Sequence, residues 1–138
     1  MSLTLQEART IIEAGIARAR ELDQRVAIAV VDEAGNPISA DKMDGAALHR
    51  ERFAVGKAFA AVLMRMPTTE ALKLQETQPE RLSGALALFP GQLYFVSGGV
   101  PLKVDGRVVG GVGAGGGATG MDEKVCEAGI AAWEQARR

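Results

Sequence analysis

His49 is the only histidine in the chain, and Arg50, Arg52 and Lys57 follow it closely. A neutral imidazole can ligate a metal or a haem iron, or pass a proton as a general acid–base. Arginine and lysine can meet carboxylates. Phe53 and Met64 can wall an apolar cofactor. These six residues therefore suggest a site for a small ligand, apolar in its body and carboxylated at its edge. A second reading fits the same side chains. His49 would be the acid–base of a cofactor-independent lyase or isomerase, with Arg50, Arg52 or Lys57 orienting a small aromatic or carboxylated catabolite. A third makes the chain a structural accessory subunit whose apolar faces are all protein contacts.

Other chemistries have less support. Gly111-Val112-Gly113-Ala114-Gly115-Gly116 fits a G-x-G-x-x-G pattern between a strand and a helix. A dinucleotide loop needs a further βαβ unit with an acid on its second strand, and here only one helix follows. Asp122 and Glu123 also fall in that helix's first turn, where they repel an anion. The glycines are better read as a place where the strand bends or approaches another backbone closely. There is no H-E-x-x-H, C-x-x-C or G-x-S-x-G, so zinc and nucleophile-elbow sites are not expected. Cys126 lies beside the apolar stripe of the last helix and reads as a small buried hydrophobe.

The residues around His49 need a helix to present them. Asp44-Gly45 can cap one, and Pro67 ends it, so a helix is expected from Asp44 to about Met66. On a wheel of 3.6 residues per turn, Leu48, Val55, Phe59, Val62 and Met66 form a stripe that should cover a sheet. His49, Phe53, Gly56, Ala60 and Met64, with Lys57 beside them, form a second stripe. A helix apolar on two faces is buried on two sides, by a sheet on one and by another helix, a subunit or a ligand on the other.

The remaining elements follow from periodicity and breakers. Thr4-Leu5-Gln6-Glu7 is a capping box opening a helix over about 4–22. Residues 26–31 form an unbroken β-branched run, hence a central strand buried on both faces, with a turn over 32–37 and a second arm from Ile38 to Lys42. Thr68 or Thr69 caps a short helix to about Glu76. Gln78 to Gln92, cut by Pro79, Gly84, Pro90 and Gly91, reads as a loop with room for one helical turn. Leu93–Val96 and 100–104 read as strands, Pro101 marking an edge. Asp105-Gly106 is a strong hairpin turn, 107–113 is its partner strand, and Asp122–Arg137 is a helix. The order α-β-β-α-α-β-β-β-α predicts an α/β (α+β) domain over 1–138 with a five-stranded antiparallel sheet flanked by helices.

Composition narrows the partners. The 138 residues are 47% hydrophobic and 4% aromatic, with a net charge of −1. That supports a packed core without staples and argues against nucleic-acid binding. No signal segment or run of about 18 apolar residues is present, and the lone cysteine suits a reducing compartment. A cytoplasmic protein that avoids membranes is expected.

Asp44-Gly45-Ala46, Gly56-Lys57-Ala58-Phe59-Ala60, Gly98-Gly99-Val100-Pro101-Leu102 with Asp105-Gly106, Val109-Gly110-Gly111-Val112-Gly113 and Asp122-Glu123 occur in this order across nearly the whole chain. Together they resemble the GlcG/HbpS-like proteins, whose domain also closes PduO-type proteins. The resemblance implies a profilin-like or roadblock-like fold. It also implies homo-oligomers from dimers up to octamers, and a ligand such as haem, another tetrapyrrole or a small carboxylate. The Asp/Glu-x-x-Glu iron-binding motif of the haem-sensing relatives is absent. Asp41-Lys42-Met43-Asp44 has the nearest spacing.

Overall fold

The computed structural model describes residues 2–138. The first helix, α1 (Leu5–Glu21), opens on the expected capping box. Glu7 N donates to Thr4 Oγ1 at 3.0 Å, and Thr4 N donates to Glu7 Oε1 at 3.1 Å. Strands β1 (Ala27–Asp32) and β2 (Pro37–Lys42) form an antiparallel hairpin. Its turn is tied by Asp32 Oδ1, which accepts from Ala34 N and Asn36 N at 2.9 Å. Three helices follow: α2 (Arg50–Met64), α3 (Thr68–Thr77) and α4 (Pro79–Leu88). Strands β3 (Gly99–Val104) and β4 (Arg107–Gly115) form the second hairpin, and α5 (Met121–Ala136) closes the chain. Asp105 and Gly106 both take positive φ, 50° and 79°, as a two-residue hairpin turn requires.

The sheet has four strands in the order β2-β1-β4-β3, all antiparallel. The expected fifth strand, Leu93–Val96, does not exist. Its backbone docks on a helix instead: Tyr94 N donates to Gly56 O of α2 at 3.2 Å. The apolar run that suggests a strand is satisfied by helices, Leu93 packing on Phe59 and Ala60 and Phe95 on Met64 and Leu82. The order expected for the elements is corrected a second time between Gln78 and Gln92, where α4 replaces a loop. Pro79 stands at its first position, where a proline's fixed φ starts a helix rather than breaking one.

Alternation along the strands sorts residues into two layers. Val26, Ile28, Val30, Leu102, Val112 and Ala114 face α1 and α5, packing with Ile11, Ile12, Val125 and Trp133. Ala27, Ala29 and Val31 face α2. On β4, the α2 side is occupied by Gly111, Gly113 and Gly115. A Cβ on Gly111 would lie 2.7 Å from Ala58 O, and one on Gly113 would meet Ala54 O and, at 2.8 Å, Ala58 N. The glycine run is thus a smooth bed for a helix backbone. It also rotates α2 relative to the expected wheel. Ala54, Ala58 and Val62 meet the sheet, with Val55 at their side. Phe59 turns away to meet Phe89 edge-on at 5.2 Å. Leu48 precedes the helix and is 77% exposed. Asp44 caps nothing, because α2 begins only after His49, which sits at φ 66°.

The outer helices are tied by Glu7. Its Oε2 accepts from Trp133 Nε1 at 2.7 Å and from Arg137 Nη1 at 2.9 Å. Burial alone would raise the Glu7 pKa. The hydrogen bonds from Trp133, the Thr4 backbone and Arg137, with the Arg137 charge, outweigh it and hold the carboxyl below its usual 4.5. A depressed carboxylate stabilises the fold above its unfolded pKa, and that contribution disappears as pH falls through the folded one. Glu7→Ala should therefore cost about 1–3 kcal/mol near neutral pH. In urea melts at pH 7 and pH 3, the gap between variant and parent should shrink at the lower pH.

Candidate functional site

The face of α2 turned from the sheet is covered by the segment that returns from α4. Gly56 makes the close approach possible: a Cβ there would lie 3.0 Å from Tyr94 Cβ and 3.3 Å from its backbone N. One turn earlier, Phe53 stacks on the Tyr94 ring with centroids 4.9 Å apart and planes at 27°. The Arg50 guanidinium sits 5.0 Å from the Phe53 centroid. Beside this aromatic pair runs a cleft of about 540 Å³, lined by Arg52, Phe53, Val55, Gln92, Leu93 and Tyr94. That volume falls within the usual range of small-ligand sites. Its walls are apolar, and Arg52 and Gln92 supply the polar ends.

Lys57 lies on the far side of Tyr94 and is only 4% exposed. Its Nζ is 6.0 Å from the Tyr94 centroid. It donates to Ala114 O at 2.9 Å and to Asp122 Oδ2 at 3.2 Å. Asp122 Oδ1 in turn accepts from Gly117 N at 2.9 Å. The pair passes the end of the sheet and joins α2, on one face, to the first turn of α5, on the other. Gly98 leaves the passage open, since a Cβ there would fall 3.1 Å from Lys57 Nζ and 2.9 Å from Asp122 Cβ. A small hollow of about 180 Å³ opens above the pair, bordered by Ser97, Thr119 and Glu123. Glu123 is held by a hydrogen bond from the Thr69 hydroxyl.

Of the residues singled out in the sequence, the structure brings Arg52, Phe53 and Lys57 around Tyr94, with Arg50 over Phe53. His49 is exposed and does not line the cleft, and Met64 is buried among Ala71, Leu82 and Phe95. Tyr94, Gln92 and Asp122 escape a sequence reading as site residues. Tyr94 is the chain's only tyrosine, a signal masked by its place in an apparent strand. Cys126 is fully buried, and its Sγ–H donates to Gly98 O at 3.3 Å. Burial, then the nearby Asp122 charge, pushes its thiol far above the ordinary range, so it stays protonated.

A second hollow of about 620 Å³ lies between the end of α1 and β2, bordered by Arg20, Asp23, Arg25, Asp41, Lys42 and Asp44. Its cations and carboxylates alternate, with Arg25 paired to Asp23 at 3.7 Å. Among the described residues no group of three or more His, Cys, Asp or Glu side chains could hold a metal ion. None of the described helices is long and apolar enough to cross a membrane.

The family model for "Haem degrading protein HbpS-like" matches residues 3–131. The chain belongs to the HbpS-like family. Its relatives include the protein GlcG of Escherichia coli K12, 34% identical over 111 residues, which are 80% of this chain and 79% of GlcG. The corrinoid adenosyltransferase PduO of Citrobacter freundii is 34% identical over 133 residues, 96% of this chain. The chain spans only 39% of that protein's length. Among solved structures, a PduOC:haem complex superposes with a TM-score of 0.84 at 29% identity, covering 96% of this HbpS-like chain and 95% of the other. The resemblance carried by the Gly56-Lys57-Ala58, Gly98-Gly99 and Asp122 motifs now has a structural reason. In this HbpS-like chain these motifs build the buried ion pair and the passage it needs.

Proposed function

We propose that this protein is a small-ligand-binding domain whose ligand is haem or a related tetrapyrrole, held in the cleft beside Phe53 and Tyr94. The observation that carries this reading is the cleft itself, an apolar slot with a stacked aromatic pair and an arginine at its edge. It is found in a fold that a relative shares in a complex with haem. The residues fit the group. Phe53 and Tyr94 offer aromatic surface to a flat ring, and Arg52 offers a fork for a carboxylate. When bound, the iron would supply the redox or ligand-exchange chemistry. The chain's own part is to stack, to hold the carboxylate and to keep water off one face.

Self-association is part of the proposal. Leu86 and Leu88 in α4 and Val96 after it are exposed apolar side chains, and apolar surface of this kind supports a contact with a second copy. A reducing, cytoplasmic setting suits the unpaired, buried Cys126.

Haem titration followed by absorbance tests the reading. A saturable Soret change is expected, with affinity about tenfold weaker in Phe53→Ala, matching the loss of a stacking contact of about 1.4 kcal/mol. His49→Ala, at an exposed site outside the lining, should leave affinity unchanged. Loss of binding in His49→Ala alone would move the ligand from the cleft to the imidazole.

A further inference from the structure

We propose that the hollow above the Lys57–Asp122 pair is a second ligand site, separate from the aromatic cleft and built for a small uncharged polyol or hydroxy-ketone. Its chemistry is the reverse of the cleft's. The cleft offers apolar walls and aromatic rings. This hollow has an ammonium and a carboxylate at its floor, a second carboxylate on Glu123, and the hydroxyls of Ser97 and Thr119 at its border.

The floor has bonding capacity to spare. An ammonium carries three donors. Lys57, 4% exposed, uses two of them, on Ala114 O at 2.9 Å and on Asp122 Oδ2 at 3.2 Å. The Tyr94 ring, 6.0 Å from Nζ, stands at the outer limit of a cation–π contact and does not replace a hydrogen bond. An unused donor on a buried ammonium is costly, and the hollow, which Lys57 borders, is where a partner can reach it. Asp122 accepts one hydrogen bond on each oxygen, from Lys57 and from Gly117 N, and each oxygen has room for another. Glu123 receives the Thr69 hydroxyl on Oε1, which leaves Oε2. A ligand hydroxyl can donate to a carboxylate while it accepts from the ammonium, and so can a hydroxyl next to a carbonyl.

Charge and volume set the ligand class. Two carboxylates face one ammonium, so the hollow carries an excess of negative charge. An anion is repelled by that excess, and a cation placed on the floor meets the Lys57 ammonium. An uncharged molecule with several hydroxyls satisfies the spare donor and acceptors without either penalty. The volume of about 180 Å³ is the liquid share of about six waters, which suits a molecule with a similar number of non-hydrogen atoms.

The test titrates the isotope-labelled protein with glycerol, hydroxyacetone and sodium lactate at matched ionic strength, followed in amide NMR spectra. Glycerol and lactate have the same number of non-hydrogen atoms and differ in charge. Glycerol or hydroxyacetone should give saturable shifts at Ser97, Gly98 and Gly117–Glu123, with dissociation constants of about 1–10 mM, and should leave Arg52–Val55 unmoved. Lactate should bind at least about tenfold more weakly, because like charges brought together are disfavoured. Glu123→Gln keeps a partner for the Thr69 hydroxyl and removes the excess negative charge, so the preference for glycerol over lactate should shrink about fivefold. Lys57→Met with Asp122→Leu removes the polar floor at unchanged net charge and should abolish the shifts. Non-saturating drift with both neutral probes, shifts centred on the Phe53–Tyr94 cleft, or lactate binding as tightly as glycerol would each overturn the proposal. So would an unchanged preference in Glu123→Gln, or shifts that persist without the floor. Haem binding in the cleft is judged separately by the Soret titration, and either reading can fail without the other.

Discussion

Lys57→Met is expected to cost the fold about 3–5 kcal/mol, the usual penalty for stripping one member from a buried ion pair. The lysine is 4% exposed. Its removal leaves Asp122 and Ala114 O without the ammonium they share. The strain would not stay local, because the pair links α2 to α5 past the end of the sheet. A drop in melting temperature of about 10 °C or more is anticipated. Asp122→Asn should also destabilise, since one amide oxygen replaces the two carboxylate oxygens that accept from Lys57 and from Gly117 N, and the buried ammonium loses its counter-charge. The informative variant is the double replacement, Lys57→Met with Asp122→Leu. Removing both charges should recover much of the loss. If the single and double replacements are equally destabilised, the pair is not the source of the effect.

Gly113→Val should be as damaging for a different reason. The new side chain would point from β4 into the backbone of α2 at Ala54 and Ala58. The helix cannot yield there without lifting its alanine face from the sheet, so a loss of at least about 3 kcal/mol is expected, at the upper end of overpacking costs. Because α2 also carries Phe53, the cleft should lose haem affinity in whatever fraction still folds. Gly84→Ala is the matching control. It sits in α4 with nothing within 4 Å of the point where a methyl group would stand, and alanine is the better helix former, so stability should rise by up to about 1 kcal/mol. Equilibrium urea unfolding of the two variants side by side checks both signs.

How much of the fold is legible in the sequence differs from element to element. The capping box at Thr4 and Glu7, the central strand β1 and the Asp105-Gly106 turn are local events, and local chemistry announces them. The glycine run announces either a bend or a close backbone contact, and the structure shows the contact. What periodicity misses are features decided by tertiary contact. Leu93–Val96 is an apolar run that reads as a strand but finds its partners on helices. The proline and glycine of Gln78–Leu88 suggest a loop, although Pro79 opens a helix. The wheel of α2 is turned away from expectation because large residues carry most weight on it, whereas a glycine-lined sheet takes alanines. For the candidate site, clustered cations on one helix lead to the neighbourhood of the Phe53–Tyr94 cleft. Tyr94 and Asp122 arrive from distant parts of the chain, and no spacing rule within one helix can supply them.

Hydrogen–deuterium exchange of the protein with and without saturating haem tests the central claim most directly, because it asks where the ligand sits. The cleft reading predicts slowed exchange over residues 52–57 and 91–95, with little change along Arg20–Arg25 and Ala40–Asp44 beside the polar hollow. Protection confined to that hollow, or none at the Phe53–Tyr94 cleft, would contradict it.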